Sequence, residues 1–228
     1  MYYKKIESGL IMSFKQLTLF IFLLLLGFKV YADDAGELTS KLALLTTFSG
    51  EFQQTLVDDE EQVLQASKGI FSLKRPGYFY WETTAPFPQL LVSDLNTIWL
   101  YDPDLEQVSV KPYDEKISQT PALLLSGDVN KVSDAYRVEK LNVDAQTNSE
   151  VFSDNPVTVF ALFPKQPQTL FTQLLVEFTG DQLASMQLHD SLGQVTTFAF
   201  SQGVYNQAIA NEQFTFTPPD GVDVIQAQ

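Results

Sequence analysis

Short runs of apolar or alternating apolar and polar residues recur along most of the chain and predict a protein built mainly from β-strands. The runs are rich in aromatic and β-branched residues, and turn sequences such as Asp94-Leu95-Asn96 separate them. Twelve strands are predicted: Phe48–Val57, Val63–Leu73, Tyr78–Glu82, Gln89–Ser93, Thr97–Tyr101, Gln107–Lys111, Tyr136–Val143, Val157–Phe163, Leu174–Thr179, Gln182–His189, Gln194–Ser201 and Gln213–Thr217. Hairpin turns throughout predict one antiparallel sheet that curls or closes.

A few helical segments interrupt the strands. The first carries leucines at helical spacing behind two aspartates that can cap it, namely Asp33, Asp34, Leu38, Leu42 and Leu45. The second begins with Thr120-Pro121 and continues into Leu123, Leu124 and Leu125, with proline at a favoured first helical position. Residues 128–135 favour one more short turn of helix. Because no linker and no internal repeat is visible, a single domain is expected.

The N-terminal segment differs from the rest of the chain. Residues 17–28 are an almost wholly apolar run of 12, whereas a transmembrane helix needs roughly 20. Lys15 precedes the run, and Val30-Tyr31-Ala32 follows it with small residues suited to signal peptidase. We therefore expect residues 1–32 to be a cleaved signal peptide and residues 33–228 to form the single domain. A buried N-terminal helix is the alternative.

Composition excludes several function classes. The 228 residues include no Cys and one His, so disulfides, thiolate metal sites and two-His metal sites are ruled out and no cofactor is predicted. Removing the predicted leader leaves 196 residues with 10 basic and 27 acidic side chains, a net charge of −17. This acidic balance argues against nucleic acid as a partner. Export without disulfides favours a Gram-negative periplasm.

Catalytic motifs are weak. His189 and Asp190 are adjacent, but neighbours in a strand point to opposite faces, so their adjacency does not indicate a dyad. The acidic run 58–61 is typical of a solvated hairpin tip. Any two of the carboxylates could still converge as in a glycosidase, and the sequence leaves that open. We expect a protein that is not an enzyme.

The most informative stretch is Lys-Arg-Pro-Gly-Tyr-Phe-Tyr-Trp at residues 74–81. If Arg75 is buried, its five donors require acceptors and can bind several backbone carbonyls at once. Aromatic strands of this kind usually form ordinary sheet core. Here, however, the apolar residues exceed what two short helices cover, which favours an apolar cavity. Its candidate lining residues are Phe52, Phe71, Phe79, Trp81, Leu91 and Trp99.

The same stretch carries a family resemblance. Residues 74–81, then Leu91-Val92-Ser93-Asp94, residues 97–103, Thr120-Pro121 and residues 214–222 resemble, in order and spacing, the periplasmic outer-membrane lipoprotein carriers of the LolA family. The resemblance implies a mainly β fold, an incomplete (half-open) antiparallel β-barrel with a short helical lid that encloses an apolar cavity for acyl chains. It also implies a monomeric periplasmic chaperone.

The resemblance implies partners and residue roles as well. Such a carrier accepts acylated outer-membrane lipoproteins from the inner-membrane LolCDE complex and delivers them to the outer-membrane receptor LolB. LolB is similar in fold but is itself a lipoprotein, and the absence of Cys argues against it. Arg75 is implied to bond the lid backbone and to hold the empty cavity shut. The expected lid residues are Leu42, Leu45, Leu123, Leu124, Leu125 and Ser126. A binder of free lipid, or a lipoprotein-sensing regulatory protein of similar fold, is the alternative.

Overall fold

The computed structural model describes residues 33–113, 125–141, 155–166 and 171–226. The strands are β1 (Thr47–Val57), β2 (Val63–Lys74), β3 (Tyr78–Ala85), β4 (Gln89–Asp94), β5 (Thr97–Asp102), β6 (Gln107–Pro112), β7 (Tyr136–Leu141), β8 (Val157–Pro164), β9 (Gln173–Thr179), β10 (Gln182–His189), β11 (Val195–Tyr205) and β12 (Asp223–Gln226). The helices are α1 (Asp34–Ala43) and α2 (Val132–Ala135), with 3-10 turns at Val129–Lys131 and Asn211–Phe214. The predicted leader and two predicted lid residues, Leu123 and Leu124, lie outside these ranges.

All twelve strands form one sheet in the order β12-β6-β5-β4-β3-β2-β1-β11-β10-β9-β8-β7. The order is linear, so β12 and β7 are its two edges and the sheet does not close into a full barrel. This confirms the predicted mainly β, half-open architecture with short helices. One pairing departs from the prediction, because β12 lies parallel to β6 while the other neighbours are antiparallel. No helix within the described ranges is long and apolar enough to cross a membrane.

The predicted strand Gln213–Thr217 is wrong. Asn211–Phe214 forms a 3-10 turn, and the last strand begins at Asp223. Phe214 and Phe216 alternate with polar residues because this segment crosses the sheet and packs both rings onto it. The Phe214 ring centroid lies 5.4 Å from that of Tyr78, and the Phe216 ring centroid lies 5.6 Å from that of Tyr101. We call residues 207–216 the strap. It covers the face of β3–β5 that we call the outer face.

Cross-strand register defines the opposite, inner face. Residues directly opposite each other on neighbouring strands share a face, as do residues two apart on one strand. The inner face therefore runs from β1 to β4, because Phe52 lies opposite Gly69, Phe71 opposite Trp81, and Trp81 opposite Leu91. In the other direction, Phe52 lies opposite Phe200 on β11, and Met186 on β10 lies opposite Val176 on β9. Helix α1 supplies the buried Leu38 and Leu42 to the same core cluster. Burial of this apolar surface, at roughly 25 cal/mol per Å², is the main force that holds the helix on the sheet.

Candidate functional site: an apolar face under a latched lid

The β2–β3 turn places Arg75 beside the helices. Gly77 in this turn has φ of +77°, and a Cβ at this position would lie 2.6 Å from Leu95 Cδ2 and 2.8 Å from the Tyr113 hydroxyl. Only glycine therefore tolerates both the conformation and the close approach. The buried Ser93 hydroxyl donates to the Gly77 carbonyl at 3.0 Å and fixes the turn to β4.

The Arg75 guanidinium joins two chain segments that are distant in sequence. Its Nε donates to the Leu45 carbonyl at 2.9 Å, and its Nη1 donates to the Gly127 carbonyl at 2.5 Å. The backbone of the same turn adds bonds from the Arg75 amide to the Thr46 carbonyl and from the Gly77 amide to the Ser126 carbonyl, at 2.9 and 2.7 Å. We call α1 with residues 44–46, together with residues 125–127, the lid. The contacts expected of a buried Arg75 are thus present.

Burial of the Arg75 guanidinium is unfavourable, and its hydrogen bonds to the lid offset that free energy. Burial lowers its pKa from 12.5 to about 10, an effect that the charge of Asp128 partly opposes. This lowering corresponds to about 3 kcal/mol of unfavourable charge burial. Two charged hydrogen bonds contribute roughly 1.5–3 kcal/mol each. Among the described residues the buried Nη2 has no hydrogen-bond partner, which adds a further cost. The guanidinium stays protonated at neutral pH and donates to both parts of the lid.

The described lid residues are buried. Leu42, Leu45, Leu125 and Ser126 are each at most 2% exposed, as the prediction that they face the sheet requires. Val132 of α2 joins the same core, although no sequence pattern predicted a lid role for it. A single apolar residue in a four-residue helix is too little to form a periodic pattern.

Polar contacts hold the other parts of α1. The Asp34 carboxylate accepts from the Lys140 amide at 2.9 Å, and the Lys140 ammonium donates to Glu37 at 2.7 Å. Near the last turn, the Lys41 ammonium donates to the Gly180 carbonyl at 2.9 Å and pairs with Asp181 at 3.0 Å. These residues belong to β7 and to the β9–β10 turn. Helix α1 is therefore held near both ends by this half of the sheet, and Arg75 binds the Leu45 carbonyl just after the helix.

Aromatic side chains form the surface beneath the lid. Phe52, Phe71 and Phe79 are at most 2% exposed, while Trp81 and Leu91 are partly buried against them. The Phe52 and Trp81 rings stack with centroids 3.9 Å apart. The rings thus pack on one another in this closed arrangement, and an apolar ligand would have to separate them. Sequence reasoning missed Phe48, Phe198 and Phe200, which extend the same cluster.

Trp99 does not share this surface, and the prediction that placed it there is wrong. Trp99 lies opposite Val92, which lies opposite Tyr80, so all three belong to the outer face. Its ring faces Phe216 of the strap at 6.5 Å. Strand β5 gives the inner face Ile98 and Leu100 instead. Because Thr97–Asp102 is apolar on both faces, the sequence could not show which set points inward.

The structure assigns structural roles to the weak catalytic candidates. Asp190 Oδ1 accepts from the amides of Leu192 and Gln194 at 2.7 and 2.9 Å, and so shapes the turn after β10. Asp58 in the acidic tip does the same for Glu60 and Gln62, at 3.0 and 2.8 Å. Within the described ranges no group of three or more His, Cys, Asp or Glu side chains is arranged to hold a metal ion.

A half-open sheet with a buried aromatic face, covered by short helical segments whose backbone a buried arginine binds, defines a class of protein: a β-sheet protein with a covered apolar surface. Residues 43–217 match the family model described as outer membrane lipoprotein carrier protein LolA. This chain belongs to that family. The match includes residues 44–46, the turn that carries Arg75, the aromatic strands and the strap.

Close relatives support the assignment. The outer-membrane lipoprotein carrier protein of Hahella chejuensis is 44% identical over 198 residues, which are 86% of this chain and 90% of the relative. The protein of the same name from Pseudomonas aeruginosa PAO1 is 41% identical over 213 residues, which are 92% of this chain and 97% of the relative. A crystal structure of a LolA superfamily protein from Nitrosomonas europaea covers 81% of this chain and 99% of its own, with 12% identity and a TM-score of 0.45. That overlay is too loose to transfer residue roles.

Proposed function

We propose that this protein binds the acyl chains of outer-membrane lipoproteins on its inner face and carries them across the periplasm. The proposal places no catalytic step on the chain. The observation that carries it is the buried aromatic surface under a lid whose backbone is hydrogen-bonded to Arg75 and its turn between β2 and β3. Relatives at 41–44% identity bear the name outer-membrane lipoprotein carrier protein, which supports the choice of ligand.

The strength of acyl binding explains why a lid is useful. Burial contributes about 0.8 kcal/mol per methylene, so ten buried methylenes give roughly 8 kcal/mol. A carrier that kept all of this energy would hold its cargo too tightly to deliver it. Opening the lid and separating the stacked Phe52 and Trp81 rings consume part of that energy. Closure of the lid after transfer returns it and favours release.

We further propose the partners and the location. The carrier accepts its cargo from the inner-membrane LolCDE complex, hands it to the receptor LolB, and works as a monomer in the periplasm after removal of residues 1–32. The high negative charge of the chain supports solubility between two membranes.

Purification of the protein from the periplasm of a Gram-negative host, followed by mass spectrometry of the bound material, tests the ligand. We expect triacylated lipoproteins to co-purify. Free fatty acids or phospholipids alone would contradict the proposal and indicate a carrier of free lipid. Recovery of the protein only from the cytoplasmic fraction would contradict the location.

A transfer assay tests the latch. We expect Arg75→Leu to load lipoprotein normally but to deliver it to LolB at least tenfold more slowly, because the empty, closed state no longer competes with the loaded one. Lys111→Leu is a control that removes a positive charge from β6. Delivery by Arg75→Leu at the wild-type rate would contradict the latch role while leaving lipoprotein binding intact.

A further inference from the structure

A second set of hydrogen bonds holds the segment through which α1 leaves the lid. Three successive carbonyls of Leu45–Thr47, which we call the exit segment, have protein donors. The Leu45 and Thr46 carbonyls accept from Nε and the amide of Arg75, and the Thr47 carbonyl accepts from the Asn206 amide at 2.9 Å. The exit segment is thus bound by Arg75 through two carbonyls and by Asn206 through the next.

The Asn206 side chain adds two further bonds. Its Oδ1 accepts from the Thr46 amide at 3.0 Å and from the Thr46 hydroxyl at 2.9 Å. Thr46 therefore has its amide fixed by Asn206 and its carbonyl fixed by Arg75. Asn206 can reach Thr46 because it follows β11 directly, next to the pairing of Phe48 with Tyr205, and because its φ of +58° turns the chain there. Asparagine adopts this left-handed conformation more readily than most residues.

We propose that Asn206 is a positioning residue for the Arg75 latch. It holds the exit segment against β11 so that the Leu45 and Thr46 carbonyls face Arg75. The inference rests on the proposed lid function and adds a residue that neither the Lys-Arg-Pro motif nor the helix pattern indicated.

The absence of cysteine from the chain provides a direct measurement of lid opening. Leu42→Cys places one thiol on the fully buried face of α1, and its rate of reaction with a thiol reagent reports how often the lid opens. Val92→Cys places one thiol at a fully buried position of β4 on the outer face, away from the lid, and reports global unfolding. Neither measurement needs lipoprotein, LolCDE or LolB.

Three substitutions at matched positions isolate the Asn206 side chain. Asn206→Gly removes Oδ1 and tolerates the positive φ, whereas Asn206→Asp keeps an acceptor at the same place. Gln202→Gly is the control, because Gln202 also lies near the end of β11 with a positive φ of 51° and an exposed side chain. We expect Asn206→Gly to raise the labelling rate of the Leu42→Cys thiol about fivefold, the effect of two exposed hydrogen bonds. Asn206→Asp and Gln202→Gly should change it less than twofold.

The latch role predicts a further result that a merely structural role does not. In an Arg75→Leu background, Asn206→Gly should raise the rate less than twofold, because the carbonyls it positions no longer have their donor. A fivefold increase in both backgrounds would overturn the proposal, as would an equal increase for the Val92→Cys thiol or for Gln202→Gly. A protein that binds no lipoprotein but shows the expected labelling would disprove the carrier function alone.

Discussion

The two faces of β3–β5 are built from the same kinds of residue but are covered in different ways. Phe79 and Trp81 face inward under the lid, and Trp99 faces outward under the strap. Within the described part of the chain, Ser126 and Gly127 of the lid accept hydrogen bonds from Gly77 and Arg75 of the β2–β3 turn. The strap, in contrast, leads into β12, which is hydrogen-bonded to β6 along four residues. We therefore expect the lid to open more readily than the strap.

The two adjacent cations of the Lys-Arg-Pro motif divide between these covers. The Lys74 ammonium donates to the Ile209 carbonyl at 3.0 Å and to Asn211 Oδ1 at 2.7 Å, both in the strap. Arg75 donates to the lid. The motif therefore anchors both covers at one end of the sheet, and we expect only the face whose cover can open to bind a ligand.

The largest expected effect comes from a charge on the inner face. Phe79→Glu places a carboxylate where the side chain is fully buried, which costs several kcal/mol unless the lid stays open. We expect loading of lipoprotein to be lost while the far-ultraviolet circular dichroism spectrum is retained. Val204→Glu, at a position 41% exposed on β11, should load normally. Normal loading by Phe79→Glu would disprove the role of the inner face.

The next largest effect concerns the outer face. Phe214→Ala removes the fully buried ring of the strap and should lower the free energy of unfolding by about 3 kcal/mol, measured by urea denaturation. Loading per folded molecule should stay unchanged. Phe87→Ala is the control, because Phe87 is 67% exposed and its loss should be nearly neutral. A loss of loading by Phe214→Ala without a loss of stability would contradict the distinction between the two covers.

A smaller effect separates the two cations. Lys74→Leu should lower the free energy of unfolding by about 1 kcal/mol, because it breaks two partly exposed hydrogen bonds to the strap. Delivery to LolB should remain within twofold of the wild-type rate, in contrast to Arg75→Leu. Slow delivery by Lys74→Leu would show that the strap, too, takes part in release.

The smallest effect is spectroscopic. The chain has two tryptophans, one on each face, so each can be observed alone. In Trp99→Phe the remaining Trp81 should change its emission maximum when a triacylated lipopeptide binds, because its stacked partner Phe52 moves away. In Trp81→Phe the emission of Trp99 should stay constant. An equal response from both tryptophans would mean that acyl chains do not bind selectively to the inner face.

Much of the fold follows from local patterns. Period-two runs predicted eleven of the strands to within a few residues at most ends, and the leucines at helical spacing predicted α1. The motif at residues 74–81 predicted that Arg75, if buried, needs carbonyl acceptors, and the family resemblance implied that the lid backbone supplies them. The strand and helix patterns depend on neighbours a few residues apart, whereas the acceptors of the Arg75 side chain lie 30 and 52 positions away in the sequence.

Tertiary structure decided what each face meets. Strands such as Thr97–Asp102 are apolar on both faces. The two-residue period therefore predicts that Trp99 and Leu100 point to opposite faces, but it does not predict which of the two faces the lid. The strap was mistaken for a strand because a segment lying across a sheet alternates just as a segment within it does. The hydrogen bonds that Thr46 donates to Asn206 Oδ1 join residues 160 positions apart. The sequence by itself determined most of the strands, helix α1 and the position of Arg75 in a turn. The packing of distant segments decided which face the lid covers and which face the strap covers, since only packing brings distant carbonyls and rings together.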